Sequence, residues 1–231
     1  MIPTPSTSHL SKLDFESVYE PAEDTFALLD ALEADRARLQ GSQLCLEIGS
    51  GSGVVSTFLG TLLDPNSALL LTTDLSLPAC LATHETPRLN SLRTPFEIVQ
   101  TDLCTCLFPR LQHACDVIVF NPPYVPTYED ELELARMEGL LERAWAGGAD
   151  GMQVTDRLLD VVEVRVGWEG GNSRGLFYLV TIVQNKPQQI IEGLEKKGLR
   201  GEVVLKRRAG GEHLHILRFS RPDPTTEAPE A

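Results

Sequence analysis

Asn121-Pro122-Pro123-Tyr124 is the stretch whose residue types point most directly to chemistry. It follows Val117-Ile118-Val119-Phe120, an apolar run of the kind that forms a buried strand. Two prolines fix φ and remove backbone donors, so the local carbonyls stay free to accept. Each proline also pushes the residue before it toward extended geometry. An amide, two rigid residues and an aromatic ring make a polar shelf that can grip a flat NH2 group. The same four residues also suit a strand that merely ends in a proline turn.

A second constellation surrounds Glu47-Ile48-Gly49-Ser50-Gly51-Ser52-Gly53. Glycines at this spacing allow a tight turn and close backbone approach by a ligand. Such turns also bind dinucleotides, or nothing. Asp74 ends the next apolar run, a position suited to ribose hydroxyls. Asp102 ends the run after that, where a carboxylate can accept from an adenine amino group. Each acid alone reads equally as a helix cap or a solvated turn. Three acids at three successive strand ends around one glycine turn disfavour a pyrophosphate. They favour a cofactor that carries positive charge and no phosphate.

The elements that position these residues alternate. A helix is expected from near Ala22, then a strand over Leu44–Ile48 and a helix over Val54–Leu63. A strand over Ala68–Thr73, a helix over Pro78–Asn90 and strands over Phe96–Gln100 and Asp116–Phe120 follow. Helical patterns cover about Glu129–Trp145 and Met152–Val166, then a strand over Leu176–Val183 and a helix over Pro187–Lys197. Two closing strands, Val203–Arg207 and His213–Phe219, flank Gly210-Gly211 as a hairpin. This alternation predicts an α/β fold: a doubly wound, mostly parallel seven-stranded sheet with one antiparallel strand, Rossmann-like. Ligands then sit outside the carboxyl ends of the strands. Residues 14–220 read as one domain, with loose tails over 1–13 and 221–231 that are rich in Ser, Thr and Pro.

Composition narrows the function. The net charge is −13, from 33 acidic and 20 basic residues, which opposes a large phosphate-binding surface. Lys206-Arg207-Arg208 is a short basic cluster that reads as a solvated strand end. The five cysteines include no Cys-x-x-Cys pair, and Cys104-x-Cys106 is too tight for a usual zinc half-site. No metal site is expected. No apolar stretch is long enough to span a bilayer, and residues 1–12 lack a signal-peptide pattern. A soluble protein of a reducing compartment is expected, cytoplasmic and also compatible with the nucleus.

These segments resemble the class I S-adenosylmethionine-dependent methyltransferases. More closely, they resemble the eukaryotic HemK-like methyltransferases, catalytic subunits that methylate the glutamine of the Gly-Gly-Gln loop in class 1 release factors. The resemblance is carried by Tyr19-Glu20-Pro21-Ala22-Glu23-Asp24-Thr25, Glu47 through Gly53, Thr73-Asp74, Thr101-Asp102-Leu103, Asn121 through Val125, and Ala144-Trp145-Ala146-Gly147-Gly148. It implies S-adenosylmethionine as cofactor, held by Tyr19, Thr25, Glu47, Gly49, Asp74, Asp102, Leu103 and Asn121. It implies Asn121, Pro122 and Tyr124 as catalytic residues, with Pro123 joining them around the substrate. The chain departs from the family after Asp74, reading Leu75-Ser76-Leu77-Pro78 where the family has Ile-Asn-Pro. The stretch between Tyr128 and Arg143 is longer and more acidic than the family's. The resemblance further implies a heterodimer with a small zinc-binding activator protein, through an edge strand near Phe96–Val99. Protein lysine methylation is the alternative activity, and adenine amino-methylation a third that the acidic balance disfavours.

Overall fold

The computed structural model describes residues 1–126, 150–162 and 175–221. Among them, seven strands form one sheet in the order β3-β2-β1-β4-β5-β7-β6. The strands are β1 (Leu44–Ile48), β2 (Leu69–Asp74), β3 (Phe96–Gln100), β4 (Val117–Phe120), β5 (Leu176–Ile182), β6 (Arg200–Ala209) and β7 (Glu212–Ser220). β7 runs antiparallel to both of its neighbours, and the other pairings are parallel. This is the doubly wound sheet with one antiparallel strand expected from the sequence.

The central strands are apolar on both sides because helices cover both faces. Along β4, Val117 and Val119 face one core while Ile118 and Phe120 face the other. The first core is closed by α1 (Glu23–Ala34) and α3 (Val54–Leu62), through Leu28, Leu32, Phe58 and Leu59. The second is closed by α5 (Gln153–Leu159) and α6 (Pro187–Glu195), through Leu158, Ile190, Ile191 and Leu194. Each such side chain contributes roughly 1.5–3 kcal/mol when fully buried, so these two layers dominate the stability. Among the described residues, the remaining α-helices are the short α2 (Arg36–Leu39) and α4 (Leu77–Leu89).

Several differences from the sequence reading have local causes. α2 is a single turn with too few residues to show a period. β6 and β7 extend beyond their apolar centres because the hairpin pairs residues out to Ala209 and Glu212. A bulge between Val203 and Leu205 shifts the register there. Arg207, within the basic cluster, forms an ion pair with Asp30 of α1. Residues 1–13, read from sequence as a tail, carry bonds to the domain. Ile2 N–H donates to Glu33 Oε1 at 2.9 Å, and Ser6 exchanges two 2.8 Å bonds with Asn90. The helical pattern over Glu129–Trp145, the acidic stretch after Tyr128, the Ala144–Gly148 segment and the final residues 222–231 lie outside the described residues, as do residues 163–166 of the pattern that yields α5.

Two features aim this framework at one end of the sheet. The strand order reverses between β1 and β4, the topological switch point where such sheets take ligands. α1 is tied to the sheet behind it: Asp35, just past its last turn, accepts from Arg218 of β7 and from Tyr178 Oη of β5 at 2.8 Å. Arg218 is buried and Asp35 largely so, so these bonds hold the register of α1 on the sheet. That sets the position of its first turn.

Candidate active site

The glycine turn is built by backbone bonds and braced from α4. Gly49 and Ser50 N–H groups donate to Thr73 O at 2.8 and 3.1 Å, closing the turn against the end of β2. Gly51 N–H donates to Asp74 Oδ2 at 2.9 Å, and Ser76 N–H donates to Asp74 Oδ1 at 2.8 Å. From α4, Thr83 Oγ1 donates to Ser50 Oγ at 2.8 Å, and Thr86 Oγ1 donates to Ser52 O at 2.6 Å. Gly53 has φ of +76°, and a Cβ there would stand 2.8 Å from Thr83 Cα. Only glycine meets both demands. Ser76 caps α4, its Oγ accepting from Ala79 N–H at 3.4 Å. The departure from the family pattern after Asp74 therefore still yields a capped helix.

Glu47 lies near the end of β1, two residues before Gly49. It is 3% exposed, and its Oε2 has no hydrogen-bond partner among the described residues. Burial pushes its carboxyl up to about 8, against the opposing effect of Ser56 beside it. Burial also raises Asp74, although backbone N–H groups of Gly51, Ser76 and Leu75 pull the other way. A buried carboxylate lacking partners is costly. A cationic, donor-rich ligand removes that cost, so the pair fits a positively charged cofactor.

Asp102 stands apart from this pair. Its Oδ2 accepts from Arg157 Nη2 of α5 at 2.5 Å, with both side chains about half exposed. Exposed ion pairs contribute about 1 kcal/mol or less, so a ligand can displace Arg157 cheaply. Leu103, beside it, is buried with φ of +52°. A leucine held in the left-handed region is strained, as happens where backbone is shaped for function.

The shelf converges on one oxygen. Asp24, in the first turn of α1, is 3% exposed. Its Oδ2 accepts from Tyr19 Oη at 2.9 Å, Asn121 Nδ2 at 3.0 Å and Tyr124 Oη at 3.1 Å. Its Oδ1 accepts from Thr25 N–H at 2.6 Å. Tyr19, Thr25, Asn121 and Tyr124, all expected at the site, are thus gathered by a residue that the sequence analysis named only within the Tyr19–Thr25 segment and gave no role. The clue was its place between Tyr19 and Thr25. Burial, then the charge of Asp24, raises both tyrosines well above the usual phenol range, so both remain donors. Asn121 Oδ1 is buried with no partner among the described residues. An acceptor in that state fits an incoming N–H donor.

Three further residues frame the shelf and were not foreseen. Asn185, after β5, donates to Tyr124 O at 2.9 Å and to Asp150 O at 3.2 Å. Gly151 packs beneath the Tyr124 carbonyl. Glu212, at the start of β7, has its carboxyl raised by burial and then by the charge of Asp24. Pro122 is buried and Pro123 half-buried, which completes the wall.

The comparisons decide the family. The methyltransferase small domain model matches residues 22–145. Methyltransferase HEMK2 of Mus musculus is 46% identical over 220 residues, covering 95% of this chain and 97% of the relative. The eRF1 methyltransferase catalytic subunit mtq2 of Schizosaccharomyces pombe is 40% identical, with 96% of each chain covered. The chain belongs to the HemK-like methyltransferases. The Mtq2 subunit in the E. cuniculi Mtq2-Trm112 complex, described as methylating the eRF1 termination factor, has a TM-score of 0.64 and 28% identity. That match covers 89% of this chain and 99% of the solved one. As a methyltransferase, the enzyme needs a methyl donor and an acceptor atom.

Proposed function

We propose that this methyltransferase transfers a methyl group from S-adenosylmethionine to the side-chain amide nitrogen of the glutamine in the Gly-Gly-Gln loop of a class 1 release factor. The observation that carries the reading is Asn121 Oδ1, buried and unpaired beside Tyr124. Both full-length relatives named above are methyltransferases, and one is named for eRF1.

Bound at the glycine turn, S-adenosylmethionine supplies an electrophilic methyl on a sulfonium. Glu47, Asp74, Asp102, Thr25, Tyr19, Gly49 and Leu103 are the residues that would hold it. A carboxamide nitrogen is a weak nucleophile because its lone pair is delocalised. Asn121 Oδ1 and the Pro122 carbonyl each accept one of its N–H groups, and the remaining direction faces the donor. Tyr124 packs on the amide plane. Catalysis is then positioning and electrostatics. The nitrogen becomes acidic as it alkylates, so its proton would leave late, to solvent, and no strong base is needed. A lysine side chain, with an ordinary pKa near ~10.4, arrives protonated and requires a base first.

The protein works in this reading as a heterodimer with a small zinc-binding activator. β3 is an edge strand, and an open edge accepts another strand. Leu75, Leu77 and Leu81 beside it are each half exposed or more, an apolar margin suited to a partner. Incubating the protein, activator and cofactor with a release-factor domain, followed by mass spectrometry, tests the proposal. A methyl on the loop glutamine supports it, and an unmodified glutamine overturns it.

A further inference from the structure

We propose that Asp24 is the positioning residue of this reaction: its carboxylate fixes the Asn121 amide so that the oxygen, and not the NH2, faces the substrate. This rests on the reading of Asn121 as the acceptor for the substrate amide. An asparagine amide is nearly symmetric in shape but opposite in chemistry at its two ends. Flipped, Asn121 would present donors to a donor, and the substrate NH2 would be repelled. Nothing in Asn121 itself selects the useful orientation.

Asp24 supplies the selection. An ionised carboxylate only accepts, so the end of the amide 3.0 Å from Asp24 Oδ2 must be the nitrogen. Hydrogen bonds to a charged acceptor are roughly twice as strong as neutral ones, which makes the flip costly. The same Oδ2 holds Tyr124 Oη, so one atom places both the amide and the aromatic wall of the shelf. Tyr19 Oη, the third donor, helps keep that oxygen in place. Oδ1 meanwhile serves the first turn of α1 through Thr25 N–H. The two oxygens divide the work: one holds the helix and the other aims the shelf. Among the described residues, Glu212 at the start of β7 is a further acid close to this cluster.

The test is steady-state kinetics on the activator-bound enzyme, with a release-factor domain carrying the Gly-Gly-Gln loop. Asp24→Asn keeps the shape but offers one acceptor where two are needed. Its kcat should fall about 10²-fold, the usual effect of misplacing a reacting group by an ångström. In an Asn121→Ala background, the same substitution should cost at least about tenfold less than in the wild type, the remainder being what Asp24 does through Tyr124. A kcat near wild type, or a full loss persisting in the Asn121→Ala background, overturns the proposal. If Asp24→Asn does not fold, the unmutated enzyme still decides. Its Asn121 side-chain NH2 should exchange slowly with solvent in nitrogen-resolved spectra, and free exchange overturns the proposal. Failure of the wild type to methylate glutamine would instead overturn the functional reading.

Discussion

Asn185 Nδ2 donates to the carbonyl oxygen of Tyr124 at 2.9 Å, linking the end of β5 to the last residue of the shelf. Both groups are buried. Gly151 sits against the same carbonyl with φ of +72°, and a Cβ there would fall 2.0 Å from Tyr124 O. Gly151→Ala must therefore strain its own backbone and push the shelf away. The expected cost is at least ~2 kcal/mol, from left-handed strain plus overpacking. Thermal unfolding measures the first effect, and a drop in kcat the second.

Asn121→Ala should slow methyl transfer severely and leave cofactor binding largely intact. Removing one preorganised polar group of this kind typically costs about 10²–10³ in kcat. Single-turnover rates and cofactor titration separate the two effects. Equal loss of both would move Asn121 from the substrate side to the cofactor side.

Glu47 makes stability fall with rising pH in the cofactor-free enzyme. A carboxyl whose pKa is higher folded than unfolded contributes fully below the unfolded value and loses that contribution through the folded one. For Glu47 the window runs from about 4.5 to about 8. The loss across it is on the order of a few kcal/mol. Glu47→Gln stays neutral, so it should match wild type near the bottom of the window and exceed it above the top. Melting temperatures of both proteins across this range check the sign.

Leu77→Asp with Leu81→Asp should break the heterodimer and spare the fold. Both side chains are more than half exposed in the free protein, and surface substitutions of this kind usually shift stability by about ±0.5 kcal/mol. Co-purification with the activator should be lost while the circular dichroism spectrum is unchanged.

The strands were legible because local signals agreed. β1 and β3 fall at the bounds their apolar runs predict, and the mostly parallel sheet with one antiparallel strand follows from strand–helix alternation and one glycine hairpin. The glycine turn and Asn121-Pro122-Pro123-Tyr124 were legible because short motifs carry their geometry with them. Asp24 was not, because its chemistry comes from Asn121 and Tyr124, 97 and 100 residues away. Asp102 was read as a free acceptor for the same reason. Its partner Arg157 lies 55 residues on, in a helix that only the fold brings near. Residues that act alone can be read from sequence, whereas a converging set becomes visible once the chain has folded.

The most direct measurement is mass spectrometry of a release-factor domain after incubation with this enzyme, its activator and S-adenosylmethionine, beside a lysine peptide and a nucleic acid. The account predicts one methyl group on the side-chain nitrogen of the Gly-Gly-Gln glutamine, strongly reduced with Asn121→Ala. An unmodified glutamine alongside a methylated lysine or adenine would contradict it.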